Sequence, residues 1–238
     1  MCQTSKLAIN LGGEKMVFTI YFVRHGQTIF NHYNRMQGWC DSPLTEKGIS
    51  DAHKAGKRLA VKHFTNVYHS DTSRAKNTCH IIMGENNNSK SIPEPTTLPQ
   101  FREQGYGYFE GCDSNQAWLM VGARHNCRSF PEIISKYSIE DSRDFMKEID
   151  PFHEAENNDE FWTRVNSGFD YIRSQQKDGD EVLVVSHGTT IRSIVHRFAP
   201  DIDIISLSPQ NGSVTKMIVA DDAISVEYFN HYTDEQDY

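Results

Sequence analysis

Apolar residues along the chain gather into short runs of strand length, each followed by a stretch with helical spacing. "VFTIYFV" at 17–23, "NVYH" at 66–69 and "EVLVVS" at 181–186 have the β-branched and aromatic content of buried strands, and helix-like segments follow at 46–63, 72–83 and 189–198. Such alternation predicts a parallel sheet covered by helices on both faces. "SVTKMIVADDAISVEYF" is expected to form a hairpin turning at Asp221 and Asp222, which would add strands and an antiparallel edge. Residues 112–160, rich in charge and aromatics and poor in strand signal, predict a helical insertion over one end of the sheet. The expected fold is therefore α/β, a three-layer α/β/α sandwich with a mostly parallel central sheet. Residues 1–15 read as a polar extension ahead of one domain at 16–238. "GENNNSKS" at 84–91 and the proline-bearing "IPEPTTLP" after it predict a surface loop, "DSRDFMKEID" a solvated helix, and "HYTDEQDY" a frayed acidic tail.

With 37% hydrophobic and 11% aromatic residues, 238 residues suffice for one sizeable core. The formal net charge of -8 argues against nucleic acid or an acidic membrane as partner, so any anion site must be local. Cys2, Cys40, Cys79, Cys112 and Cys127 are scattered and never form a C-x-x-C pair, which suits a reducing cytosol better than a disulfide framework or a zinc site. No signal-peptide pattern or bilayer-length apolar run is recognisable, so a cytoplasmic location is expected. His53, His63, His69, His80 and His196 lack paired ligand spacing, and neither a metal nor a cofactor is expected.

Candidate chemistry lies at the strand ends. "VRHG" follows the first strand, "YHSDTSRA" the second and "VVSHG" the third. Open parallel sheets place ligands just beyond the carboxyl ends of their strands, so Arg24, His25, Arg74 and His187 are predicted to converge on one crevice, beside helix-start amides that also favour anions. Two guanidiniums that keep their charge at any working pH suit a phosphoryl group. Taken singly, each has a plainer explanation: Arg74 as a surface partner of Asp71, His187 as a satisfied core histidine. Their joint placement favours a site.

"RHGQT" with Asn31 shortly after, "QGWCDSPLTEKG", "SDTSRAKNT", "FREQGYGYFEG" and "SHGTTIR", in that order, resemble the histidine phosphatase superfamily and its phosphoglycerate mutase-like group, over roughly residues 17–220. The resemblance implies an α/β/α sandwich, a phosphohistidine intermediate and no metal. Carried over position by position, it makes His25 the nucleophile, Arg24, Arg74 and His187 the phosphate clamp, and Glu103 the proton donor. Glu110 is the competing acid, since "FEG" also sets a glutamate before a glycine. Asn31, Gln37, Gly38, Gly188 and Thr189 are candidate contacts to phosphate or leaving group, with ordinary turn roles as the alternative for several of them. Trp39, Trp118, Phe109 and Tyr106 are candidates to line a substrate pocket, but aromatics in such proportions are expected mainly in the core. Three activities fit: a phosphomonoester hydrolase acting on a small phosphorylated metabolite, a phosphoglycerate mutase, and a phosphate-binding module without turnover. Mutase-type relatives carry a consecutive arginine pair in the insertion, whereas here Arg124 and Arg128 are separated in "VGARHNCRSF", which favours the hydrolase.

Overall fold

Strands β1 (Val17–Arg24), β2 (Phe64–His69), β3 (Thr96–Thr97), β4 (Glu181–Ser186), β5 (Val214–Ala220) and β6 (Ile224–His231) form one sheet in the order β3-β2-β4-β1-β5-β6. They are drawn from a computed structural model that describes residues 16–88 and 94–238, so the expected extension at 1–15 and part of the 84–91 loop lie outside the described residues. β3, β2, β4 and β1 run parallel, while β5 pairs antiparallel with β1 and β6 with β5, so both arms of the predicted hairpin form the antiparallel edge.

Alternate residues of the central strands feed two cores, because successive side chains leave a strand on opposite faces. Phe18, Ile20 and Phe22 of β1, with Val182 and Val184 of β4, pack under α7 (Asn158–Gln175) and α8 (Gly188–Phe198) through Phe161, Val165, Phe169, Ile191 and Ile194. On the opposite face Tyr21, Val23, Leu183 and Val185 meet Ala55 and Leu59 at α2 (Glu46–Arg58), and Ala75, Cys79 and Ile82 of α3 (Ser73–Glu85). The result is the three-layer α/β/α arrangement. Each fully buried Phe or Ile contributes roughly 1.5–3 kcal/mol, so β1 alone anchors the sheet by several such increments. A short helix, α1 (Ile29–His32), follows the β1 loop.

Within 112–160 the chain forms α4 (Ser114–Ala123), α5 (Phe130–Lys136) and α6 (Ile139–Ile149), with α7 starting at Asn158. These helices share a third core in which Trp118, Val121, Ile133 and Met146 pack with Met36, Tyr106 and Phe109. The helix expected at 72–83 spans 73–85, so the predicted loop begins only at residue 86, and "IPEPTTLP" supplies the short edge strand β3. The helix expected at 46–63 stops at Arg58, where turn hydrogen bonds from Ala60 and Lys62 replace helical ones. "DSRDFMKEID" is not a solvated helix: Arg143 is fully buried over the Phe161 ring, 4.0 Å away, and donates to Asn158 Oδ1 and Ser193 Oγ. Nor is the tail frayed. Tyr238 packs edge-on against Tyr228 and His231, and Asp234 pairs with Arg58 Nε at 2.8 Å. No described helix is long and apolar enough to cross a membrane.

Candidate active site

Strand register brings the polar ends level. Arg24 of β1 lies opposite Ser186 of β4, and His69 of β2 opposite Val185, so His25, Ser70 and His187 emerge side by side. The main chain holds them there, with His25 N donating to Ser186 O and Ser70 N to Val185 O, both at 3.0 Å. The His25 and His187 rings meet edge to face, centroids 5.1 Å apart.

His25 Nδ1 lies 2.8 Å from the carbonyl oxygen of Gly26, which can only accept. In the neutral ring the proton is therefore on Nδ1 and the lone pair on Nε2. Burial, then the Arg74 and Arg24 charges, hold His25 well below the ordinary histidine pKa, so the ring is neutral at physiological pH. Arg24 donates through Nη1 to Pro209 O, leaving its Nε without a partner among the described residues, and His187 Nδ1 is equally unpartnered there. A buried donor left unpaired costs about 1–3 kcal/mol, which an arriving anion would relieve. Gly188 lets the two elements approach: a Cβ there would lie 3.2 Å from Arg24 Nε.

Arg74 has no exposed side-chain surface. Its Nε points at His25 Nε2, while its Nη atoms donate to the carbonyls of Gly38 (2.7 Å) and Cys40 (2.8 Å) and to Asp41 Oδ1 (3.0 Å). Its acidic partner is thus Asp41, whereas Asp71 pairs with Arg102. From the other side the Glu110 carboxylate accepts the amides of Gly38, Trp39, Cys40 and Tyr106 at 2.8–3.2 Å. Residues 37–40 are thereby clasped between a cation on their carbonyls and an anion on their amides. Gly38 fits for lack of a Cβ, which would stand 2.1 Å from Gln104 O.

Glu103 caps α8. Its Oε1 accepts the amides of Gln104 and Thr190 and lies 3.1 Å from the Thr190 hydroxyl, whereas Oε2 accepts the Thr189 amide alone among the described residues, at 2.9 Å. The Thr189 amide is therefore engaged with Glu103, and its hydroxyl lies 3.2 Å from the Tyr106 hydroxyl. The loop bearing Glu103 is fixed by the Glu156–Arg164 pair, Glu156 being buried and Arg164 partly so: Glu156 Oε2 accepts Gly105 N, and Arg164 donates to the carbonyls of Gln100, Arg102 and Glu103.

A cavity of about 160 Å³ opens over these groups. Of the expected site residues, Arg24, Asn31, Gln37, Glu103, Gly188 and Thr189 line it, while His25, Arg74 and His187 are buried and, like Gly38, are not part of its wall. Asn31 also braces the β1 loop, its Oδ1 accepting from Thr28 N and Asn211 Nδ2, and the Gln37 side-chain amide meets Thr28 Oγ1 at 2.6 Å. Reasoning from strand ends missed Arg35, Met36, Ser114, Arg192 and Ser208, which with Tyr106 and Trp118 complete the cavity wall. Arg192 was within reach, as part of "SHGTTIR", but Arg35 carries no local signal and reaches the cavity through loop packing. Tyr106 and Trp118, expected in the core, do pack there and also face the cavity. Trp39 is the exception, about half exposed under the Arg102 guanidinium.

Residues 20–231 match the histidine phosphatase superfamily (branch 1). The chain belongs to that superfamily. Two curated relatives illustrate its range. One is fructose-2,6-bisphosphatase TIGAR B of Danio rerio, 38% identical over 117 residues that cover 48% of this chain and 45% of the relative, so the match spans less than half of that protein. The other is the 2,3-bisphosphoglycerate-dependent phosphoglycerate mutase of Neisseria meningitidis, 28% identical over 225 residues covering 88% of this chain and 98% of the mutase. Among solved structures, phosphoglycerate mutase from Bacillus anthracis superposes with a TM-score of 0.85 at 34% identity, covering 92% of this chain and 95% of the mutase.

Proposed function

We propose that this superfamily member is a phosphomonoester hydrolase working through a phosphohistidine on His25. The observation that carries the reading is the His25 ring itself: neutral, its proton pinned on Nδ1 by Gly26 O, its Nε2 lone pair held beside Arg74. In the first step Nε2 attacks phosphorus and the bond to the ester oxygen breaks, with Glu103 protonating the departing alkoxide. In the second, Glu103 as carboxylate takes a proton from water, the water oxygen bonds to phosphorus, and the P–N bond breaks to release inorganic phosphate. Oε2 is the oxygen suited to carry that proton, since Oε1 accepts two amides and Oε2 one, the Thr190 hydroxyl proton going to Arg102 O at 2.7 Å. Arg24, Arg74 and His187 would stabilise the charge on the nonbridging oxygens.

The cavity supports a substrate class as well. Arg35 and Arg192 line it together with Arg24, which favours a small phosphate ester with a second anionic group. A phosphoglycerate mutase is the second reading, favoured by the near-full-length match to mutases. Against it, the insertion lends the cavity only Ser114 and Trp118, while Arg124 is solvent-exposed and paired with Glu148. Rapid quench with a radiolabelled ester is the test: acid-labile, base-stable label on the parent, absent from His25→Ala, is expected. Label and turnover persisting in that variant at the parent level would refute the assignment.

A further inference from the structure

We propose that Ser70 is a positioning residue for His187: its hydroxyl donates to His187 Nε2 and so holds the ring in the tautomer that presents Nδ1–H to the bound phosphoryl group. The inference rests on the reading that a phosphoryl group occupies this site. Ser70 follows β2 as His187 follows β4, and the register of those strands sets them side by side. The hydroxyl oxygen lies 2.6 Å from His187 Nε2 and 3.2 Å from Thr72 Oγ1, and all three residues are buried.

Counting protons along this row gives its direction. If Thr72 donates to Ser70 and Ser70 donates to Nε2, each hydroxyl proton has an acceptor, and the ring proton resides on Nδ1. In the reverse direction Nε2–H donates to Ser70 and Ser70 donates to Thr72, whose own buried hydroxyl proton then has no acceptor among the described residues. The first arrangement leaves Nδ1–H as the one unmet donor, on the atom that has no partner in the described structure. The reverse would set a bare lone pair against an anion. Burial, with Arg74, His25, Arg164 and Arg24 nearby, keeps His187 neutral, so that the tautomer alone decides whether Nδ1 is a donor.

The test uses full-length protein with 15N-labelled imidazoles, His187 being assigned by its loss in His187→Asn, and reads the tautomer from two-bond 15N–1H correlations. The parent should show Nδ1 protonated and Nε2 bare. Ser70→Ala should lose that single tautomer and bind inorganic phosphate about 10-fold or more weakly, the usual consequence of losing a hydrogen bond to a charged group. Thr72→Val should retain both the tautomer and, within about threefold, the phosphate affinity, because Ser70 can still donate to Nε2. Nε2 protonated in the parent overturns the proposal, as does a tautomer that moves in Thr72→Val or stays in Ser70→Ala. Should Ser70→Ala fail to fold, the parent and Thr72→Val spectra decide. A parent whose His25 and His187 signals ignore saturating phosphate would instead refute the phosphoryl-site reading, whatever the tautomer.

Discussion

Arg74 Nε donates to His25 Nε2 at 3.3 Å, so the nitrogen proposed to attack phosphorus is covered by the cation that also fastens residues 37–40. Binding an anion at Nε2 must therefore draw Nε away from the ring while the Nη atoms keep the loop in place. A lysine supplies the charge without the fork. Arg74→Lys should lose about 2–4 kcal/mol of stability from the missing charge-assisted hydrogen bonds and at least 10-fold in kcat/KM. Urea denaturation and steady-state kinetics check both, and parent-like values in each would mean that the fork is dispensable.

Replacing Glu103 with Gln should slow hydrolysis of alkyl phosphates by about 10²-fold or more, while aryl phosphates, whose leaving groups need little protonation, suffer less. Glu110→Gln should act differently, loosening the clasp on residues 37–40 and lowering rates on both ester types alike. If the leaving-group dependence appeared in Glu110→Gln instead, the proton donor would have to be reassigned.

Stability should fall as the pH drops below about 6.5. The folded pKa values of His25 and His187 are depressed, chiefly by burial and then by neighbouring cations, whereas in the unfolded chain both rings titrate near 6.5. Below that pH the unfolded state binds protons that the folded state refuses, each histidine contributing up to about 1.4 kcal/mol per pH unit. Together they should remove roughly 2–3 kcal/mol between pH 7.5 and 5.5. Urea midpoints across this range should show the slope, and His187→Asn should reduce it; an unchanged slope would disprove the linkage.

Turnover should need no divalent cation. Arg24 and Arg74 already supply charge at the site, and no group of three metal-ligating side chains occurs among the described residues. Following 3-phosphoglycerate in EDTA, with and without 2,3-bisphosphoglycerate, should reveal phosphate release exceeding isomer formation. An excess of 2-phosphoglycerate by orders of magnitude would make the enzyme a mutase, and collapse of all activity with chelator would reject the metal-free mechanism.

Arg35→Ala should raise KM for esters bearing a second anionic group by about 10-fold, the worth of one charge-assisted contact, and leave p-nitrophenyl phosphate nearly unchanged. Equal losses on both substrates would remove Arg35 from substrate recognition.

The alternation of "VFTIYFV" and "EVLVVS" with amphipathic helices determined the three-layer sheet, because period-2 and period-3.6 patterns dictate which faces are buried. The polar residues just past those strands determined where chemistry would gather, since parallel strands in register end at one edge. Local pattern does not specify what a long side chain reaches across the fold. Arg143 looked solvated because its neighbours in sequence are charged, and only the packing of α6 against α7 and α8 buries it. The motif around Arg74 suggested a phosphate clamp, yet tertiary structure commits most of its donors to residues 38–41. Glu103 and Glu110 both precede or approach a glycine in one short motif, and only their partners distinguish them: one carboxylate caps α8 with a single amide on Oε2, the other takes two backbone amides on each oxygen. Periodicity and the residues that follow each strand are properties of neighbours in sequence, whereas hydrogen-bond saturation depends on groups that only the closed fold brings within 3 Å.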